Sequence, residues 1–457
     1  MNNAFQYVLV LASLSTPLFA QSYSIENIGT LSTNPAQPVR ASGINNRGHV
    51  HGENNLPGPG TAVKINGFFW DGHTQVKIQP VSPALAFGGA INDSDQCVGY
   101  MSAGGGKLHQ YIWENGVTND IHLGPLNFSR AYDINSAGYI AGTTSELIPG
   151  YMISQFRPFL RDPSGSWIDL GTFGGGGGFT RALNDHQHVI GTAKDALENS
   201  HPFLWIAGAG MINLGSLAGA TAPYAIDNYD RIVGLSADSN DHYQPFFWQA
   251  GTMTDLGTLD GGAGLEGLAN DINDHGVIVG YSDDAAGVQH ATIWSPLPGG
   301  GHSAPVNLET LIPPGSGWTL TSAAGINELG EITGTGWLNG NKRAFRLTPV
   351  LPQARLSGLQ PGISGQASSL FGMGFTPGAP IFIAYGFSSG QIPVPGCPVS
   401  LMDIAAPQIF TVLAADADGR LELPIFLPPA LMGLTVLVQG VDPINCGVSE
   451  LLTQTFQ

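Results

Sequence analysis

One short phrase returns seven times along this chain: Ile or Leu, then Asn (once Asp), then a Gly at a fixed distance. The aliphatic residues are Ile44, Ile91, Ile134, Leu183, Ile226, Ile272 and Ile326. Their glycines, Gly52, Gly99, Gly142, Gly191, Gly234, Gly280 and Gly334, each stand eight residues later. Neighbouring copies lie 43 to 54 residues apart, a period that suits propeller blades and related repeats. A unit of that size cannot bury a core alone, so the copies must pack on one another.

Two further elements recur in step. One is an aromatic stretch ending in Trp, as in Phe68-Phe69-Trp70, Tyr111-Ile112-Trp113, Phe203-Leu204-Trp205 and Phe246-Phe247-Trp248. The other reads Asp169-Leu170-Gly171-Thr172, Asn213-Leu214-Gly215-Ser216 and Asp255-Leu256-Gly257-Thr258. Each unit therefore divides into four strands. The first ends at Ile-Asn and leads through a tight turn, such as Asn273-Asp274-His275-Gly276, into the second. The aromatic stretch is the third, and the Leu-Gly segment the fourth. Gly48, Gly138, Gly276 and Gly330 fill the left-handed position of that turn, with Asp95, Gln187 and Asp230 in their place elsewhere. The run Gly174 to Gly178 has no Lys-Ser/Thr after it and precedes no helix, so it reads as a flexible connection between units and not as a phosphate loop.

The last unit lacks a fourth strand before the chain changes character at Thr348-Pro349, and a spare copy stands upstream at Asn27-Ile28-Gly29-Thr30-Leu31. This phase shift predicts an all-β fold, a seven-bladed β-propeller spanning residues 21–349 and closed by its N-terminal strand; an open solenoid would need terminal caps. Residues 350–457 carry no copy of the repeat and no Lys, and their short apolar runs predict an immunoglobulin-like β-sandwich.

Residues 1–20 resemble a secretory signal peptide cut after Ala20, although Met1 to Gln6 holds no Lys or Arg. No segment is long and apolar enough for a transmembrane helix. The expected setting is secretion or the cell surface. There, Cys397 and Cys446 are expected to form a disulfide, while Cys97 reads as a buried strand thiol. Sixteen Lys and Arg against 34 Asp and Glu leave a net charge of −18 and no basic patch, which argues against nucleic acid as a partner.

The third strand opens with a polar residue, a small residue or Pro, and an aromatic: His201-Pro202-Phe203, Gln244-Pro245-Phe246, Arg343-Ala344-Phe345, Asn66-Gly67-Phe68. With Ile-Asn-x-x-Gly and Asp-Leu-Gly-Thr-Leu, this resembles the extracellular HAF-repeat proteins over residues 25–347. The resemblance implies export and a repeat scaffold, and it carries over no catalytic residues.

The chemistry on offer is sparse. His109, His201 and His290 open third strands in different units and cannot converge on one ion, so no metal is expected. Asp195 with Glu198, Asp238 with Asp241, and Asp283 with Asp284 lack the spacing of a calcium loop. No Gly-x-Ser-x-Gly elbow occurs, and no cofactor is implied. The position two before the repeat Ile or Leu varies in a way its neighbours do not. Tyr132 and Tyr224 there offer stacking surfaces, and Arg181 and Asn270 offer hydrogen bonds; the four are candidate ligand-binding residues at the mouth of the central channel. The alternative is that they merely fill the centre. The expected function is a non-enzymatic binding, adhesion or envelope module for an extracellular glycan or protein. The competing expectation is a propeller-type glycosidase or polysaccharide lyase, for which first strands supply only Asp133 and Asp271 as acids.

Overall fold

A computed structural model describes residues 22–456, except 58–62, 81–84, 123–127, 148–153, 262–265, 351–352, 364–365, 395–396 and 398–399. The signal peptide expected at 1–20 lies outside the described residues. The fold is nearly all-β: among the described residues the only helical pieces are 3-10 turns at Leu308–Leu311 and Pro429–Leu431. No helix there is long and apolar enough to cross a membrane.

Each repeat folds as an antiparallel sheet. In the fifth, Thr221–Ile226, Ile232–Ala237, Tyr243–Gln249 and Thr252–Asp255 pair in chain order. The other units follow the same order; the second and third share one sheet through a single parallel pair between Phe128 and Leu108. The last unit contributes Trp318–Ile326, Ile332–Leu338 and Asn341–Pro349, and its fourth strand is Tyr23–Asn27, which pairs Tyr23 with Pro349 and Asn27 with Phe345. First strands touch in chain order, and Val39–Ile44 touches the sheet of the last unit.

The repeat motifs now have physical causes. Each repeat Gly faces the first strand so closely that a Cβ would lie 1.9 to 2.4 Å from a backbone carbonyl. In several units the opening aromatic of the third strand, for example Phe68, Phe159 or Phe345, covers the same spot. No side chain fits there. The left-handed turn residues fall where the spacing predicts, at Gly48, Gly138, Gly276 and Gly330 and at Asp95, Gln187 and Asp230. In the Leu-Gly segments, Asp169, Asn213 and Asp255 cap the strand by accepting from the amides of Gly171, Gly215 and Gly257, while each Leu drops into the seam with the following unit. Asn27 does the same for Gly29, and Ile28 packs among Val39, Val50, Phe68 and Ala344. The Asn27–Leu31 copy is thus the strand's end and seam plug, and the paired strand itself begins four residues earlier than its motif.

The glycine run departs from expectation. Gly174–Leu183 is one continuous first strand, paired with Val189–Asp195, not a flexible connection. A Cβ on Gly175 would sit 2.1 Å from the Asp195 carbonyl and one on Gly177 would sit 2.9 Å from that of Phe156. Close backbone approach, not freedom, explains these glycines.

Beyond Pro349, Arg355–Gln360, Ala367–Met373 and Leu421–Phe426 form one sheet; Gln408–Ala414, Pro380–Gly386 and Thr435–Asp442 centre a second. Leu356, Leu370 and Leu421 from the first meet Ile381, Ile383 and Val436 from the second in a shared core. Cys397 and Cys446 are joined as a disulfide with Cα atoms 5.4 Å apart, and Cys97 is free and buried.

Candidate functional site

The site is built where the first strands converge, and the repeat Asn is the residue that brings them together. In the first unit, Asn45 Oδ1 accepts from the amides of Arg47 and His49, closing its own turn, while its Nδ2 donates to the Asn92 carbonyl of the next unit. Asn92 reaches the Asn135 carbonyl, Asn135 that of Asn184, and Asn184 that of Asp227. Asn273 reaches the Asn327 carbonyl, and Asn327 reaches that of Asn45. The Asp227 side chain has no N–H to give. There Arg231 pairs with the Asp227 carboxylate and donates to the carbonyls of Asn273 and Asp274 at 3.4 and 2.7 Å.

A second belt lies beside the first. The backbone amide of Asn46 donates to the Asp93 carboxylate, Ser136 to Asp185, Asp185 to Asn228 Oδ1, Asn228 to Asp274, Asp274 to Glu328, and Glu328 to Asn46 Oδ1. This puts four carboxyl groups around the turn-side opening. Burial pushes Asp93 up to about 6 and raises Asp185; burial, with Asp274 nearby, raises Glu328. Gln360, from beyond the repeats, lies across this end, accepting from Asn228 Nδ2 at 3.3 Å and donating to Asp274 at 3.2 Å.

At the opposite end the first strands surround a cavity of about 580 Å³. All four candidate residues, Tyr132, Arg181, Tyr224 and Asn270, line it. The strand pairing explains why. In each of these units the register slips over the residue two before the Ile or Leu: between Ala131 and Asp133, Thr180 and Ala182, Pro223 and Ala225, and Ala269 and Asp271. These residues are β-bulges, each an extra residue unmatched on the partner strand and re-aimed by the local bend. The same slip occurs over Ser42 and Ala324.

The four are not equivalent. The Arg181 guanidinium lies 3.9 Å from the centroid of the Tyr224 ring, so that ring face is already occupied. Asn270 Nδ2 donates to the Ala323 carbonyl at 2.7 Å and stitches the sixth unit to the seventh. Tyr132 and Arg181 remain the members most open to a ligand.

The next position holds the two first-strand acids that the sequence offers to a hydrolase, and the structure shows how each is engaged. Asp133 accepts from the amides of Ile134 and Leu183, and Asp271 from those of Ile272 and Ile326, each at 2.9 Å. Both carboxyls line the cavity, and burial pushes each up to about 7. Each spans two units with both oxygens engaged by backbone. The signal was the bulge itself, which a periodic reading of strands does not reveal.

His109 pairs with Asp120, His201 with Asp195, and His290 with Asp284, each within its own unit. Among the described residues no group of His, Cys, Asp and Glu has the arrangement of a metal site. Asp195, Asp238 and Asp284 each accept two backbone amides of their own hairpin turns.

The chain matches no protein-family model and no curated protein. Among solved structures it is similar to TolB from Acinetobacter baumannii, with 11% identity and a TM-score of 0.38 over 69% of this chain and 63% of that one. It is also similar to a puromycin-hydrolyzing peptidase of Mycobacterium tuberculosis, with 10% identity and a TM-score of 0.47 over 77% and 61%, and to AofleA from Arthrobotrys oligospora, with 10% identity and a TM-score of 0.33 over 72% and 92%. The chain spans less than two thirds of the first two. The likeness is one of overall β architecture, and nothing about chemistry follows from it.

Proposed function

We propose that residues 21–349 close as a seven-bladed β-propeller of HAF-repeat type, and that the exported protein is a binding or adhesion module taking an extracellular glycan or protein ligand at its open end. The observation that carries this reading is the cavity of about 580 Å³ walled by bulge residues from successive units. Its size suits a small-molecule or oligomer subsite. Closure is supported by the pairing of Tyr23–Asn27 with the last unit and by the hydrogen bond from Asn327 to the Asn45 carbonyl.

Binding is favoured over hydrolysis by the state of the two acids. A glycosidase acid or nucleophile must turn a carboxyl oxygen to the substrate, and Asp133 and Asp271 spend theirs on backbone amides. The test is a glycan and peptide array on the mature protein, followed by a quadruple Ala substitution at Tyr132, Arg181, Tyr224 and Asn270. Loss of binding by at least about tenfold with the fold intact is expected, since hydrogen bonds and aromatic contacts of this kind contribute about 0.5 to 1.5 kcal/mol each and four side chains are removed. Undiminished affinity would place recognition elsewhere, and turnover of a bound polysaccharide would overturn the binding reading.

A further inference from the structure

The open cavity gathers positive charge in a strongly acidic chain. The chain holds only 16 Lys and Arg and has a net charge of −18, yet Arg40, Arg181 and Lys342 all line this one space. Arg47, Arg157, Lys194, Arg231, Arg346, Arg355 and Arg420 are each in an ion pair. Among the described residues the three cavity cations form no ion pair, as is also true of Lys64, Lys77, Lys107, Arg130, Arg161 and Arg343, but these three share one cavity. Arg40 and Lys342 come from the first and seventh units and stand near enough that burial, aided by the Arg40 charge, lowers the proton affinity of Lys342. Arg181 comes from the fourth unit, across the ring of first strands. Unpaired like charges brought together in a concave site are destabilising unless an anion joins them.

The remaining lining is hydroxyl and amide. Ser42, Thr321, Ser322, Thr335, Asn270 and Gln289 face the cavity beside Tyr132. That surface suits a ligand rich in hydroxyl groups, with one ring face against an aromatic. The acids nearby do not cancel the cations. Asp133 and Asp271 are turned to backbone amides at the deep end. Glu53, across the strand from Arg40 and accepting the Gly88 amide, offsets part of that one charge and leaves Arg181 and Lys342 without a carboxylate partner among the described residues.

Resting on the binding reading above, we infer that the ligand is an acidic saccharide, whose carboxylates are received by Arg40 with Lys342 on one wall and Arg181 on the other. Guanidinium groups take carboxylates through two parallel hydrogen bonds. The bulges of the first, third and fourth units turn Ser42, Tyr132 and Arg181 toward the same space, where they can meet sugar hydroxyls and a ring face.

The experiment titrates the mature protein with oligomers of galacturonate, of mannuronate and guluronate, and of hyaluronan, each beside its carboxyl-esterified form, and with an acidic peptide. At least one acid oligomer is expected to bind about tenfold or more tightly than its ester, with affinity falling as salt is added. Arg40→Gln with Lys342→Gln, and separately Arg181→Gln, should bring the acid form down towards the ester while melting temperature holds. Equal binding of acid and ester, unmoved by these substitutions, would overturn the charge assignment and leave the cavity as a binding site. Tighter binding of the acidic peptide would overturn the saccharide assignment. If no oligomer binds and the quadruple Ala variant changes no interaction found on the array, the inference and the binding reading fail together.

Discussion

Asp227 stands where the other units carry Asn, and the exchange shows how one position can be repaired by another. An Asn there accepts two turn amides and donates across the seam; Asp keeps the first role and forfeits the second. Asp227 still accepts from the amides of Tyr229 and Arg231, and the Arg231 side chain supplies the missing donor. The pairing has a cost, because burial pushes Asp227 up to about 6 even beside that guanidinium. Removing one partner of a buried pair strands the other, at about 3 to 5 kcal/mol. Arg231→Met is therefore expected to lower unfolding stability by that order, and adding Asp227→Asn should recover most of it by restoring the donor. Denaturant unfolding of the two variants checks this; an equal loss in both would refute the repair. A related compensation appears where Asp replaces the turn Gly: Asp95 pairs with His49, and Asp230 with His188, each across a seam.

At the scale of elements, the turns, the third strands and the first-strand ends were legible because each depends on residues close in sequence. A tight turn needs φ > 0 at one place, and the spacing reveals it. The N-terminal strand was legible by its absence elsewhere, but its register was displaced because the recurring Asn-Ile-Gly phrase marks the exit from the strand. The glycine run misled for a related reason: Gly signals both freedom and close approach, and only the neighbouring Asp195 and Phe156 backbones decide between them. Tyr132, Arg181, Tyr224 and Asn270, with the acids Asp133 and Asp271, could be placed by their spacing from Ile and Leu, whereas Arg40, Lys342 and the engagement of the two carboxyls by amides of the next unit could not, since these depend on other units. Deleting residues 22–31 tests the strand's importance. It would leave Asn341–Pro349 as an open edge and empty the seam around Ile28. The melting temperature is expected to fall sharply, or the protein to aggregate; a truncation that melts like the full chain would contradict the pairing.

Ion pairs and a small apolar cluster of Leu329, Phe371 and Met373 join the repeats to the C-terminal sheets. Arg47 contacts Glu422 through Nε and Nη2, and Arg420 pairs with the fully buried Glu331. Burial would raise Glu331, but Arg420 and Arg346 hold it below its usual value. The larger set of enclosed acids titrates the other way. Asp133 and Asp271 stand at about 7, and Asp93 and Asp227 at about 6, against the usual 3.8. Between about pH 4 and 7 the folded chain therefore keeps protons that the unfolded chain has released, and stability falls as pH rises through that window. Buried His51, pushed down to about 4, acts in the opposite sense: below about pH 6.5 the unfolded chain takes up a proton that the folded chain refuses, so its contribution is lost as pH falls. Burial lowers His275 and His302 in the same direction. The carboxyls act without this opposition only above about pH 6.5. The melting temperature is accordingly expected to rise as the pH is lowered from about 8 to about 6.5, and the double substitution Asp133→Asn and Asp271→Asn should flatten that slope even though it lowers the melting temperature throughout. Calorimetry over this range decides it: a melting temperature that falls on acidification, or a slope unchanged in the double variant, would mean that the two cavity acids are ionised in the folded protein.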